Sequence, residues 1–418
     1  MFETTGRGAR VRRIRRSVAP LRVRPFARLA STYTVNETGD SIAVVALAVL
    51  VYDATQSALA TTALFVATKF LPAFTAPALT ARLDQLDLRK VLPALYLAEA
   101  GVFALLAVLA QSFSLPAVLG LGVVDGTIAL TGRALSRSAA AVVLSEHGLL
   151  REGNGIINVG FAVASVGGAA LGGFLVAQVG VSTALLFDAG SFLIAALLIA
   201  GARGLPRGEA DPEPFWQRFR GGLGHAGRDA RIRLLLGGQG IALICFTLVL
   251  PVEVVYAKET LGTGDAGYGI LLAAWGAGIV VGSALYLTIA RRSLVLALLG
   301  STGAVGLAYV GMAAVDELWA ACALSVLGGA GNGVQWVSVV TALQENTPAD
   351  LQARVTGLLE SLAAAAPGVG FVIGGALASI FSPPVTFAVA GAGVLALTAF
   401  GSVVVLRQRA ASTPTVAR

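Results

Sequence analysis

Five ionisable side chains stand in stretches of this 418-residue chain that are otherwise apolar: Glu37, Asp40, Lys69, Glu99 and Asp125. Glu37 and Asp40 are three positions apart, which puts them on one face if the segment is helical. Four carboxylates against one ammonium cannot all be ionised in a low-dielectric setting, because each uncompensated buried charge is costly. At least one is expected to carry a proton near neutral pH. Such groups suit one chemistry: taking up and releasing a proton as their surroundings open and close. Asp40 or Glu37 is the expected coupling group, with Lys69 as counter-ion. Two other readings stay open, a fixed pair that joins two helices and direct contact with a charged substrate. Glu99 reads equally as a polar helix contact, and Asp125 equally as lining of an outer vestibule. Asp188 reads as structural, through a hydrogen bond to a neighbouring helix. Nothing points to catalysis. His147 and His225 fall in expected loops and Cys245 and Cys322 in apolar runs, so neither a metal cluster nor a disulfide is expected. No GxxxxGK[ST] loop is present, so an ion gradient or the substrate's own gradient must supply the energy.

The elements that hold these residues follow from composition. Hydrophobic residues are 56% of the chain and charged residues 13%, with 51 Gly. A soluble domain has about twice that charged fraction. Apolar runs long enough to cross a bilayer recur, whereas a membrane barrel needs short alternating segments. Twelve spans are expected: 28–52, 58–81, 90–110, 116–140, 154–178, 183–203, 233–256, 266–289, 294–314, 318–342, 354–380 and 384–406. Glu37 and Asp40 then lie roughly 14 and 18 Å into the first helix at 1.5 Å per residue. Lys69, Glu99 and Asp125 fall at similar depth in helices 2 to 4. The expected organisation is a basic tail over 1–27, a six-helix bundle over 28–203, a linker over 204–232, a second six-helix bundle over 233–406 and a tail over 407–418. The linker's Phe215, Trp216, Phe219 and Leu223 suit either an interfacial helix or an irregular connection.

Orientation follows from Lys and Arg placement. One set of loops, with both tails, holds nearly all of them, including Arg82, Arg89 and Lys90; the opposite loops hold only Lys258. Both termini and the linker are therefore expected in the cytoplasm. The first apolar run lacks a cleavage pattern and reads as a retained helix. The net charge of +7 belongs to these loops and tails, so no nucleic-acid partner is expected. The two halves also echo each other: Gly168, Gly172 and Gly173 recur as Gly370, Gly374 and Gly375, 202 residues on. Small residues at that spacing let helices pack closely. Two six-helix repeats of one orientation imply a pseudo-two-fold axis along the membrane normal.

Several segments together resemble the major facilitator superfamily, in particular the branch of macrolide-efflux proteins and the enterobactin exporter. They are Gly39-Asp40-Ser41, the loop from Asp84 to Lys90, Arg133, the run Leu186 to Leu193, and Gly168 to Gly173. The chain departs from the family's pattern at Thr80, Gln85 and Ala169. The resemblance implies an all-α fold of twelve membrane helices in two six-helix halves. It also implies a non-enzymatic secondary transporter in a bacterial cytoplasmic membrane, exporting a small amphipathic, drug-like molecule against protons by alternating access. A siderophore or lipid-like metabolite is the alternative cargo, and a non-transporting membrane sensor the alternative class. Arg133 gains a gating or proton-relay role by the match, although Arg133 and Arg137 could also snorkel. Asp84, Arg89 and Lys90 become candidates for a cytoplasmic gate, the carboxylate facing a helix N-terminus. For substrate contact the polar and aromatic residues Asn36, Gln239, Trp275, Asn332, Gln335 and Trp336 are expected to line an apolar cavity. No cofactor is expected beyond a proton gradient; the expected partners are a small-molecule substrate and the lipid bilayer, and the expected state is a monomer.

Overall fold

The computed structural model describes residues 18–83, 85–202, 204–205, 227–290, 293–348 and 352–412. Asp84, most of the linker with Phe215, Trp216, Phe219 and Leu223, and the first 17 residues of the basic tail lie outside the described residues. Among the described residues the secondary structure is helical and no strand occurs.

Among the described residues twelve helices of 18 or more residues follow one another. They are α1 (Arg24–Thr55), α2 (Ala58–Leu83), α3 (Leu88–Leu109), α4 (Leu115–Ser145), α5 (Leu150–Val179), α6 (Val181–Ala200), α7 (Ala230–Thr247), α8 (Asp265–Ala290), α9 (Leu294–Met312), α10 (Leu318–Glu345), α11 (Gln352–Ile380) and α12 (Pro383–Ser412). Eleven are long and apolar enough to cross a bilayer. The twelfth, α10, is 28 residues long but is diluted by glycines and by Asn332 and Gln335. Side-chain oxygens cap several starts, each accepting from an early backbone N–H. Ser57 caps α2, Asp87 caps α3, Asp229 caps α7 and Ser293 caps α9. Gly180 alone joins α5 to α6 at φ +82°, a left-handed conformation that glycine adopts without a Cβ penalty.

The chain groups into two compact units, Met1–Ala54 with Ala67–Asp211, and Thr55–Val66 with Pro212–Arg418. The first boundary cuts α2, so its initial turns group with the second unit rather than with the rest of the first half.

In the first unit α3 packs on α6 and α4, and α4 also packs on Pro72–Leu83 of α2. Phe103 and Phe192 stack with centroids 5.3 Å apart between α3 and α6. The glycines of α5 lie on α1: a Cβ at Gly168 would fall 2.7 Å from the Thr38 carbonyl oxygen, and one at Gly172 would fall 2.9 Å from the Ile42 Cα. Gly173 is buried beside them.

In the second unit α10 packs between α8 and α9, α9 packs on α12, and α7 packs on α11 and α12. Tyr256, Tyr309, Phe387 and Met312 anchor the core. The glycines of α11 lie on α7: Gly370 meets Ile244 and Thr247, and Gly374 meets the Leu248 carbonyl. Gly375 meets Thr62, in the part of α2 that groups with this unit. Each unit thus uses its fifth helix's glycine pair to seat its first helix, which gives the 202-residue echo a physical basis.

Two helices are less regular than their apolar runs suggest. Within α2, residues Val66–Phe70 form a π turn. Pro72 lacks the N–H that a regular helix would direct at the Thr68 carbonyl, and the wider turn accommodates the loss. The expected span 233–256 is also not one helix. α7 stops at Thr247, and helical structure resumes only at Glu253, after Pro251.

Candidate functional site

The expected carboxylates of α1 meet a cation, and it comes from α4. Arg133 places its terminal NH2 nitrogen 2.6 Å from Asp40 Oδ2 and its Nε 2.8 Å from Glu37 Oε1. The first contact is also a hydrogen bond, whereas the second is an ion pair without hydrogen-bond alignment. Asn36 donates from Nδ2 to the same Asp40 oxygen at 3.1 Å. The group is graded in exposure: the Glu37 side chain is 3% exposed, Asp40 11% and Arg133 28%. Two carboxylates therefore share one guanidinium, and only one of them is sealed.

One helical turn along α4 from Arg133, Arg137 donates to the Tyr33 hydroxyl at 3.1 Å and lies 5.7 Å from that ring's centre. Both arginines of α4 thus reach α1. Arg133 was reached in the sequence through resemblance; the Tyr33–Arg137 contact was missed, and nothing but the two residues' polarity could have signalled it.

Lys69 is not the direct counter-ion. It sits in the π turn of α2 with an exposed side chain. Among the described residues no carboxylate pairs with it within 4 Å. Its electrostatic neighbours are Arg133, Asp40, Asp125 and Glu37. The wider π turn changes the direction of the side chains that follow it, which a regular helix would have aimed differently. α4 holds this turn closely. A Cβ at Gly122 would fall 2.8 Å from Thr68 Cγ2, one at Gly126 would fall 2.6 Å from Pro72 Cγ, and the hydroxyls of Thr75 and Thr127 are 2.6 Å apart.

Glu99 on α3 is 1% exposed and its Oε1 has no hydrogen-bond partner. Its electrostatic neighbours are Asp125, Asp40, Asp188 and Arg133. Asp125 is half-buried, with Oδ1 likewise unpartnered. Among the described residues Asp188 does not hydrogen-bond to another helix as expected. It accepts from Ser191 on its own helix at 3.0 Å, and its Oδ2 is unpartnered. Its place beside α1 is made by Gly39, where any Cβ would collide with Asp188 and Ser191. Five carboxylates on four helices, α1, α3, α4 and α6, thus act on one another electrostatically, and Glu37 and Asp40 act on both Arg133 and Lys69.

The second unit's expected residues are dispersed. Gln335 donates from Nε2 to Gln239 Oε1 at 2.5 Å, both fully buried, which ties α10 to α7. Trp275 stacks on Tyr309 at 5.4 Å and 12° and packs against Gly328. Trp336 packs against the cluster of Ile232, Val339, Leu343, Val355, Leu358 and Leu359. These three contacts hold helices together. Asn332 is half-buried with no hydrogen bond among the described residues. At the start of α3, Arg89 and Lys90 are exposed, and Asp87 accepts from the Arg89 N–H at 3.1 Å.

An all-helical, multi-pass chain whose charged groups converge inside one helical unit has the construction of a transporter. Residues 15–416 match the family model described as transmembrane secretion effector, and the chain belongs to that family of major facilitator transporters. No curated protein is similar enough in sequence to match it. Its fold is similar to that of a mutant form of the nucleoside transporter NupG, with a TM-score of 0.77, 9% identity, and 91% of this chain and 99% of that one covered. It is also similar to a bacterial homologue of the iron transporter ferroportin in an inward-facing state, with a TM-score of 0.71, 15% identity, and coverage of 91% and 98%. A bacterial homologue of the human lysosomal transporter Spinster follows, with a TM-score of 0.65, 15% identity, and coverage of 91% and 95%. At these identities the likeness is one of fold.

Proposed function

We propose that the chain is a proton-coupled secondary transporter that exports a small amphipathic molecule by alternating access, with Glu37, Asp40 and Arg133 as the coupling group. The observation that carries this reading is the sharing of one guanidinium by two carboxylates. The three charges sum to −1, so the group has room for one proton. Glu37 is sealed, whereas Asp40 retains some exposure and is the one a proton can reach. A proton added to Asp40 Oδ2 displaces the Arg133 N–H from that oxygen and leaves Arg133 paired with Glu37 alone. Loss of the proton restores the shared pair. Because Arg133 belongs to α4 and both acids to α1, the exchange alters a contact between helices and not only a charge. Lys69, Glu99 and Asp125 set the field in which it occurs.

The site on the proposed orientation lies in a bacterial cytoplasmic membrane with both termini inside, and Arg89 and Lys90 stand as candidates for the cytoplasmic gate. Asn332 is the polar residue of the second unit assigned to ligand contact, since among the described residues it makes no hydrogen bond whereas Gln239 and Gln335 bond to each other. One observation favours an acidic cargo such as a siderophore over a neutral drug. Lys69 is an exposed residue whose ammonium has no carboxylate within 4 Å among the described residues, as a group awaiting a carboxylate or catecholate would be.

The test is proton movement in proteoliposomes holding the full chain under an imposed pH gradient, with macrolides, dyes and siderophores added in turn and D40N alongside. Substrate-triggered proton flow that D40N abolishes is the expected result. Labelled substrate crossing with no proton movement would leave a facilitator and a structural ion cluster.

A further inference from the structure

The coupling group has a second rung. Tyr33 lies four residues before Glu37 on α1, and Arg137 lies four residues after Arg133 on α4. Each step leads one turn toward the cytoplasmic end of its helix, the start of α1 and the end of α4 on the proposed orientation. The two side chains touch. Arg137 donates to the Tyr33 hydroxyl at 3.1 Å, and its guanidinium carbon lies 5.7 Å from the ring centre, within the range of a cation–π contact. Tyr33 is 4% exposed, whereas Arg137 is an exposed residue. Unlike Arg133, Arg137 has no carboxylate within 4 Å among the described residues. Its charge nevertheless acts on Glu37, and the charged groups that act on the Tyr33 hydroxyl are Glu37, Arg137 and Arg133.

A guanidinium keeps its charge at any pH the protein meets. Held against a buried tyrosine, this one faces α1 and not lipid, where an unpaired cation is costly. Exposure falls from Arg137 through Arg133 and Asp40 to Glu37, so the way from water to the two acids on this side passes Arg137. A fixed cation on such a path repels an arriving hydronium ion, as an arginine in a pore excludes protons and cations. We propose that Arg137, held by the hydroxyl and ring of Tyr33, is an electrostatic barrier that keeps cytoplasmic protons from Asp40 and Glu37 while the pair is closed. When Arg137 leaves Tyr33 the barrier lifts. A proton on Asp40 then passes to water as hydronium, and the Asp40 carboxylate returns to Arg133. That the barrier serves coupled export rests on the proton-coupled reading above; that it blocks protons does not.

The test is the substrate-free proton leak of proteoliposomes holding the full chain under an imposed pH gradient, read by an enclosed pH dye, with R137M, R137K, Y33F and R137M/D40N. R137M should leak faster than wild type, on the order of tenfold, because a unit charge about one turn away is gone. R137K keeps the charge and should stay near wild type. Y33F removes one hydroxyl and should leak between the two. R137M/D40N should return to the wild-type rate, because the acid that takes the proton is gone. If R137M fails to fold, Y33F must raise the leak and Y33F/D40N must remove it. An R137M leak no faster than wild type would overturn the proposal. So would an equal leak in R137K and R137M, which would make packing the seal and not charge, or a leak that persists in R137M/D40N, which would route protons past the acids. A leak that R137M opens and D40N closes, without substrate-driven proton flow in wild type, would keep the barrier and defeat the coupled reading instead.

Discussion

Replacing Arg133 with methionine removes the cation that Glu37 and Asp40 share, and the cost can be worked from the geometry. At an effective dielectric of 20, opposite charges about 4 Å apart attract by about 4 kcal/mol. One guanidinium on two carboxylates therefore contributes about 8 kcal/mol before desolvation. With Cβ atoms about 5–6 Å apart on one helix face, the two carboxylates repel by about 3 kcal/mol. In Arg133→Met that repulsion is unopposed, and the acids escape it by taking up protons. Protonating a carboxyl group of ordinary acidity costs about 4 kcal/mol at pH 7 and about 1 at pH 5. Proton uptake thus caps the loss. The expected destabilisation at pH 7 is about 3–5 kcal/mol, the range for removing one partner of a buried pair. At pH 5 it shrinks to about 1–2 kcal/mol, because the folded variant then binds its protons cheaply. Arg133→Lys keeps the charge but not the fork that reaches both acids, and should fall between wild type and Arg133→Met. The triple variant E37Q/D40N/R133M leaves no charge and should recover most of the loss. Reversible unfolding in mixed micelles at the two pH values measures all four. A loss below about 1 kcal/mol at pH 7, or one that does not shrink at pH 5, would refute this account of the site.

Gln335→Leu should cost about 1–3 kcal/mol by leaving Gln239 buried without its partner, while the double change Q239L/Q335L should come close to wild type; a double-mutant cycle on unfolding checks both. Gly126→Leu drives side-chain atoms into Thr68 and Pro72 and should lose about 1–3 kcal/mol, whereas Gly120→Ala, with nothing within 4 Å of the added carbon, should be neutral or gain up to about 1 kcal/mol. Lys69→Met should weaken transport of acidic compounds relative to neutral ones in a competition assay, since among the described residues no carboxylate lies within 4 Å of the ammonium.

Composition alone made the helices legible, because crossing a bilayer demands a length and an apolarity that few other constraints produce. The glycines of α5 and α11 were legible for a similar reason: close approach leaves room for one residue type. The breaks in α2 and α7 were harder, although Pro72 and Pro251 stand at both. An apolar run reports burial in lipid, not the continuity of hydrogen bonds within it. Counting along the helices put the charged residues of the first unit at one depth, but the partnership among them was not legible. Depth along a helix follows from counting, so Lys69 seemed the nearest cation to Asp40. Which way a side chain faces depends on phase, and the π turn at Val66–Phe70 shifts it. Arg133, well inside α4, takes the place instead. Gln239, Gln335 and Trp275 show the converse error. Polar and aromatic side chains in membrane helices satisfy one another as readily as a ligand, and here a hydrogen bond and a ring stack claim them.

The central claim is that Asp40 couples proton movement to substrate movement. It is tested most directly by comparing two activities of D40N in proteoliposomes, equilibrium exchange of labelled for unlabelled substrate and pH-driven uphill transport. A coupling group is needed for the second and not for the first. The account predicts exchange at near wild-type rate with uphill transport abolished. Equal loss of both would make the Asp40–Arg133 pair a structural brace, and retention of both would place the coupling elsewhere.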